Sequence, residues 1–225
     1  MIFHFHITYK AMFGEQLVVN IQKDGEELKF PLATLDGEKW SYDWSVKPTQ
    51  QAYTYYYSVV REGAVVKTEW LMIKHHLDVT ARKAEEYTLY DHWKVMPEDA
   101  YLYSSAFTDC INHQVPQAMK LENCAKTVRL IVRAPQLRDG ESLALAGADN
   151  LLGAWNPAKV LPMTQHTYNE WAIDLDAAHL QTNHIEFKFV AVDHKKDQVL
   201  WETGMNRTID LPEMKAGEVV SYELD

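Results

Sequence analysis

Apolar and polar positions alternate with period two where the pattern of this chain is cleanest. From Ile2 to Tyr9, the residues Phe3, Phe5, Ile7 and Tyr9 share one side, and His4, His6 and Thr8 share the other. Such alternation predicts a half-buried strand. Thr127 to Arg133 repeats it, with Val128, Leu130 and Val132 opposed to Arg129 and Arg133. A turn and a further apolar run follow each time: Gly14-Glu15-Gln16-Leu17 and then, 126 residues later, Gly140-Glu141-Ser142-Leu143. Trp40 and Trp171 stand 131 residues apart, Tyr53–Tyr57 and Ile185–Phe189 stand 132 apart, and Trp70 and Trp201 stand 131 apart. The offset grows where the later half carries Leu152-Gly153-Ala154-Trp155-Asn156-Pro157 and the earlier half has no counterpart. A duplicated unit, with one loop shortened in the first copy, accounts for these offsets.

Each copy reads as several short alternating strands between turn residues, without a long amphipathic helix. The predicted fold class is all-β: two tandem antiparallel β-sandwiches of about a hundred residues each, immunoglobulin-like, joined by a connector. The first spans residues 1–80 and extends up to about 115. Residues 81–125 hold its last strand and the connector, with room for one short helix. The second sandwich spans 126–225. Within the connecting stretch, Ala81 to Val95 is charged and aromatic with loose helical spacing.

Composition narrows the function. Hydrophobic residues make up 47% of the chain, and twelve tyrosines and seven tryptophans against nine glycines favour strands with aromatic surfaces. Lysine and arginine number 22 against 32 acids, a net charge of −10. That excludes nucleic acid as the expected partner, because phosphates need a basic face, whereas a neutral glycan is indifferent to it. Cys110 and Cys124 set up no disulfide framework. Met1-Ile2-Phe3-His4-Phe5-His6 does not read as a secretory signal, and no apolar run approaches the ~20 residues that span a bilayer. A cytoplasmic protein with no membrane partner is the expectation. Asn206-Arg207-Thr208 matches a glycosylation acceptor that such a location leaves idle.

The last hundred residues carry the chemistry. Ile185, Phe187 and Phe189 alternate inward, so Glu186 and Lys188 face outward. Trp155 sits in a Gly-Ala-Trp-Asn-Pro turn, and Trp201 stands at a strand-to-loop transition ahead of Glu202 and Asn206. Flat indoles suit the apolar C–H face of a pyranose, and lysine, glutamate and asparagine suit its hydroxyls. In order and spacing these residues resemble the starch-binding domain of amylases and glucoamylases, carbohydrate-binding module family twenty. The resemblance covers residues ~127–225 well and ~1–78 loosely. It implies that Trp155, Lys188, Trp201, Glu202 and Asn206 form the principal sugar site, with the tryptophans stacking on adjacent glucose units and the polar three bonding hydroxyls. Trp171 also matches but alternates with Ile173 and Leu175, so it reads as core. Some members have a second site on a tyrosine before the Gly-Glu turn. Arg138-Asp139 stands there in this chain, and only Tyr168 and His166 lie nearby.

The first copy departs further. It lacks the Leu-Gly-x-Trp loop, Tyr56 stands where Lys188 does, and Leu71 follows Trp70 where the glutamate is expected. Trp70 and Tyr56 are the candidates for a weaker carbohydrate site there, on an even footing with a structural role. No catalytic constellation, cofactor motif or complete metal-ligand set emerges. Cys110-Ile111-Asn112-His113 and the histidines His4, His6, His75 and His76 lack further ligands at matching spacing. Tandem modules of this kind resemble the start of a disproportionating-type 4-α-glucanotransferase (amylomaltase, glycoside hydrolase family seventy-seven). The stretch Tyr103–Ile111 resembles the segment between modules there. This implies starch, glycogen or maltooligosaccharide as ligands and a C-terminal catalytic domain beyond Asp225 as partner. A scaffold that binds a polypeptide, or a glucan-processing enzyme in its own right, are the alternatives.

Overall fold

The structure is a computed structural model, and it describes residues 1–47, 52–77, 79, 84–118 and 124–224. Part of the Ala81–Val95 stretch, residues 81–83, lies outside the described residues. The fold is all-β, with only single short helical turns at Ala100–Tyr103, Ala106–Ile111, Asn150–Leu152, Pro157–Lys159 and Ala177–His179 among the described residues. The loose helical spacing before Val95 gives way to a strand, Glu86–His92. Its Tyr87 and Leu89 pack inward beside Phe3 and Phe5, and aromatic residues favour that pleated surface.

The chain forms two compact units. The first comprises Met1–Glu98 together with Gly217–Glu223, and the second comprises Asp99–Ala216 with Leu224–Asp225. The first unit is therefore assembled from two separate stretches of chain, and the terminal strand that the sequence assigns to 126–225 is counted with it.

In the first unit, Ile2–Thr8 lies between Lys39–Ser45, antiparallel, and Glu86–His92, parallel. Glu86–His92 in turn runs parallel to Glu218–Leu224. A second sheet has Glu15–Lys23 between Glu26–Pro31 and Tyr53–Arg61, all antiparallel. Tyr53–Arg61 also pairs with Ala64–Thr68 and His75–Leu77. Period two sends Phe3, Phe5 and Ile7 from one sheet, and Leu17, Val19, Ile21, Tyr53, Tyr55 and Tyr57 from the other, into one core.

That core has a charged centre. Glu69, His75, Asp91, Lys94 and Glu223 have almost no solvent exposure. His75 Nε2 meets both Glu69 oxygens at 3.1 Å, and its Nδ1 meets Glu223 at 2.5 Å and Asp91 at 3.7 Å. Lys94 Nζ lies 2.6 Å from Glu223. Tyr55 and Tyr57 donate their hydroxyls to Asp91 at 2.9 and 2.7 Å. Burial and the Lys94 charge oppose an imidazolium at His75, but Glu223, Glu69 and Asp91 outweigh them and push its pKa up to about 10. Burial would likewise raise Glu223, yet His75 and Lys94 hold it well below the usual carboxylate range. Paired burial of this kind adds little net stability, but removing one partner strands the others.

In the second unit, Thr127–Arg133 pairs antiparallel with Glu170–Asp176, which carries Thr164–Thr167 on its other side. The opposing sheet has Glu141–Gly147 between Leu161–Pro162 and His184–Asp193. His184–Asp193 continues to Gln198–Trp201 at one end and Arg207–Asp210 at the other. Val128, Leu130, Leu145, Trp171, Ile185 and Phe187 are buried. Arg129, on the polar side of the alternation, is also buried, with its Nε bonded to Asp174 at 2.9 Å. In the connector, Gln114 clamps the turn ahead of Trp171: its amide donates to Asn169 at 2.6 Å and accepts from Gln165 at 2.9 Å.

Candidate functional site

The second unit builds its candidate site on the outer face of His184–Asp193. Ile185, Phe187 and Phe189 are buried, and Glu186 and Lys188 face outward between them. The loop that carries Trp155 is tied down before it reaches the indole. Asp149 accepts the Leu151 amide at 2.8 Å and, through its other oxygen, the Gln181 amide at 2.8 Å. Gly153 then adopts φ +85°, where a Cβ would stand 2.5 Å from the Lys159 carbonyl oxygen, so only glycine fits. Ala154 and Trp155 follow at φ +50° and +59°. Left-handed backbone costs non-glycine residues on the order of 1–2 kcal/mol each. The Trp155 amide bonds the Gly147 carbonyl at 2.9 Å and the Ala154 amide bonds that of Asp149 at 3.1 Å, holding the strained pair in place.

Trp201 ends its strand opposite Val190 and is 39% exposed. Its ring centroid lies 6.2 Å from that of the half-buried Trp155, with the planes inclined by 47°. The two indoles thus offer two facets turned relative to each other rather than one flat plane.

The polar residues are gathered beside them, with commitments the sequence did not reveal. Lys188 points its ammonium at the carbonyls of Glu202, Gly204 and Met205, at 3.0, 2.8 and 3.4 Å. Those three acceptors match its three protons, so the side chain pins the loop after Trp201. Arg207 grips Glu202 with Nε at 3.0 and 3.1 Å and Nη2 at 2.5 Å. The Phe189 amide donates to the same carboxylate at 3.3 Å. Partial burial works to raise the Glu202 pKa, but the Arg207 bonds and charge and the Phe189 amide hold it below the ordinary glutamate range. Asn206 donates to Glu186 at 2.6 Å and is exposed. Arg207 and Glu186 are absent from the sequence-based set. The signal for Arg207 was the acid–arginine pair bracketing Gly204, and Arg207 stands opposite Phe187 in the ladder.

Several pairings in the first unit can be set beside those of the second, and they shift one correspondence. Leu17 opposes Val59 as Leu143 opposes Ala191, and Ile7 opposes Trp40 as Val132 opposes Trp171. Thr68 stands opposite Ser58 as Trp201 stands opposite Val190, so Thr68, not Trp70, occupies the place of Trp201. Glu69, not Leu71, matches Glu202. Its amide bonds the Tyr57 carbonyl at 3.1 Å and its carboxylate accepts the Tyr57 amide at 2.6 Å. The Glu202 amide bonds the Phe189 carbonyl at 3.2 Å in the same way. His75 opposes Tyr55 as Arg207 opposes Phe187. The stretch from Glu69 to His75 is one residue longer than that from Glu202 to Arg207, which is why matching tryptophan to tryptophan slipped the alignment. Trp70 lies two residues further on, with its amide bonded to the Lys94 carbonyl at 2.9 Å. Tyr56 does face outward at the position of Lys188. Its hydroxyl donates to Glu27 at 2.7 Å, and Lys74 stands 6.0 Å from its ring. Burial and the Glu27 carboxylate push the phenol up to about 12.

Among the described residues, the metal-like spacing at Cys110 and His113 gathers no cluster of ligand atoms, and neither cysteine forms a disulfide. His75, Asp91 and Glu223 bring ligand-type atoms within 4.8 Å of one another, but the Lys94 ammonium already stands among them. Among the described residues no helix is long and apolar enough to cross a membrane.

Residues 125–221 match the family described as the starch binding domain. No curated protein matches the chain. Among solved structures, the chain is similar to the family 20 carbohydrate-binding module of the maltotetraose-forming amylase from Pseudomonas saccharophila, with 20% identity and a TM-score of 0.34 over 43% of this chain and 99% of that one. It is similar to the glycoside hydrolase family 15 glucoamylase from Hypocrea jecorina, with 21% identity and a TM-score of 0.37 over 44% of this chain and 17% of that one. It is also similar to the gamma-CGTase from alkalophilic Bacillus clarkii, with 19% identity and a TM-score of 0.36 over 91% of this chain and 23% of that one. The chain thus spans under a quarter of the length of either enzyme.

Proposed function

We propose that this chain binds α-1,4-glucan (starch, glycogen or maltooligosaccharide) without cleaving it, through Trp155 and Trp201. The observation that carries this reading is the pair of indoles at 6.2 Å and 47° within the stretch that matches the starch binding domain family. An α-1,4-linked chain curls, turning each pyranose relative to the last, and two inclined facets suit it better than a flat β-linked ribbon. Asn206 and Glu186 supply hydrogen bonds to hydroxyls at the rim. Lys188 and the Glu202–Arg207 pair hold the loop that carries Asn206. A tether needs only modest affinity, about −4 to −8 kcal/mol for millimolar to micromolar binding.

The first unit is read as a divergent copy of the same module, a reading supported by the shared register. The pair is read as the N-terminal targeting region of a 4-α-glucanotransferase, where it raises the local concentration of glucan for a catalytic domain that follows. Titration with maltoheptaose, followed by tryptophan fluorescence and with cellohexaose as control, tests the binding. A saturable change with the α-glucan alone is expected. Equal responses to both glucans, or none to either, would remove the reading.

A further inference from the structure

We propose a second carbohydrate-binding surface on the first unit, formed by Tyr9, Trp93 and Lys67 and taking the same neutral α-glucan. It rests on the glucan-binding reading above but uses none of its residues, nor the sequence candidates Trp70 and Tyr56. The rings of Tyr9 and Trp93 lie 4.6 Å apart at 44°, and both residues are half-buried, as Trp155 is. This repeats, on another part of the fold, the inclined aromatic pair of Trp155 and Trp201. Lys67 Nζ stands 5.1 Å from the Tyr9 ring and 5.2 Å from that of Trp93, with a long 3.4 Å bond to the Tyr9 hydroxyl.

Three further observations separate this cluster from ordinary packing. First, Lys67 has donors to spare. Among the described residues no carboxylate pairs with it, whereas Lys188 has committed all three protons to carbonyls. An exposed cation–π contact is weak and the lysine stem flexible, so a sugar hydroxyl can draw the ammonium away from the rings. Second, the equivalent places in the second unit hold different side chains. By register the second unit has Ala134 where the first has Tyr9, and Leu200 where it has Lys67. Third, the three segments continue into exposed apolar residues. Phe13 follows Tyr9 and is 99% exposed, Val65 precedes Lys67 by two positions, and Val95 and Met96 follow Trp93. Exposed apolar surface of this density marks a contact site, and the C–H faces of pyranoses suit it.

Calorimetric titration with maltoheptaose decides the matter, using the wild-type chain and a Trp155→Ala, Trp201→Ala double variant. The double variant is expected to keep a weaker saturable phase, lost in Trp93→Ala and weakened about tenfold by Lys67→Ala on the same background. Because Tyr9 and Trp93 also pack against the core, the exposed Lys67→Ala is the variant whose fold is safe. If the double variant binds nothing while the wild type binds, this surface is overturned and the main site stands. A residual phase indifferent to both Lys67→Ala and Trp93→Ala also overturns it. No binding by the wild type removes the glucan reading and this surface together.

Discussion

Two acid–cation pairs occupy the same place in the two units and point in opposite directions. In the second unit, Glu202 and Arg207 close the loop after Trp201 at the surface, and that loop carries Asn206. In the first, Glu69 and His75 close the equivalent loop in the interior, tied through His75 to Asp91 and Glu223. The backbone bonds from Glu69 to Tyr57 and from Glu202 to Phe189 are the same, so the ladder does not dictate the direction. What differs is what the cation meets. Arg207 lies over the Phe189 ring, 5.2 Å from its centre, with solvent beyond. His75 stacks on Tyr55 and reaches the terminal strand. One device closes a surface loop in one unit and an interior loop in the other.

That contrast is open to attack, and the heaviest blow falls on the interior pair. Replacing His75 with Leu leaves Glu69, Asp91 and Glu223 with only Lys94. Denaturant unfolding should show a loss of about 3–5 kcal/mol, while glucan binding at Trp155 persists under native conditions. The pH dependence sharpens it next. The His75 pKa is raised on folding, so its stabilisation is complete below the unfolded value of about 6.5 and is lost as pH rises through about 10. Melting curves from pH 6 to pH 10 should fall by an amount on the order of a few kcal/mol. A flat profile in the wild type would refute the charged interior.

At the surface the effects turn from stability to binding. Trp155→Ala or Trp201→Ala should weaken maltoheptaose by at least about 1–2 kcal/mol, read by calorimetry. Lys188→Met frees three carbonyls of the loop and should weaken binding by about 1 kcal/mol, more through orientation than through charge. The smallest change belongs to Glu202→Gln, about 0.5–1 kcal/mol, because a half-exposed pair is screened. The Glu202 pKa is depressed, so wild-type binding should weaken as pH falls below the ordinary glutamate range, and the Gln variant should not follow it.

Much of this was legible in the chain. The alternation of Phe3, Phe5 and Ile7 reappears as burial along one strand, because period two is local. The outward face of Lys188 was legible for the same reason. What Lys188 touches was not, since its acceptors are backbone carbonyls that any residue supplies. The displaced match of Trp70 to Trp201 has a similar cause. A one-residue difference in loop length is invisible when the conspicuous residue is the tryptophan and the conserved bond belongs to the glutamate beside it. Nothing in the sequence around Glu69 or Glu223 announces a buried carboxylate, because the cations that permit it come from distant strands.

The make-up of the first unit carries a consequence for how the protein comes into being. Its core includes Val219, and its charged centre includes Glu223, both on the strand Glu218–Leu224, which is separated in sequence from the rest of the unit by residues 99–216. During synthesis the amino-terminal half therefore emerges with His75 and Lys94 lacking one of their carboxylates. It waits through more than a hundred residues before that strand can arrive. The first unit therefore closes its core only after residues 99–216 have been made.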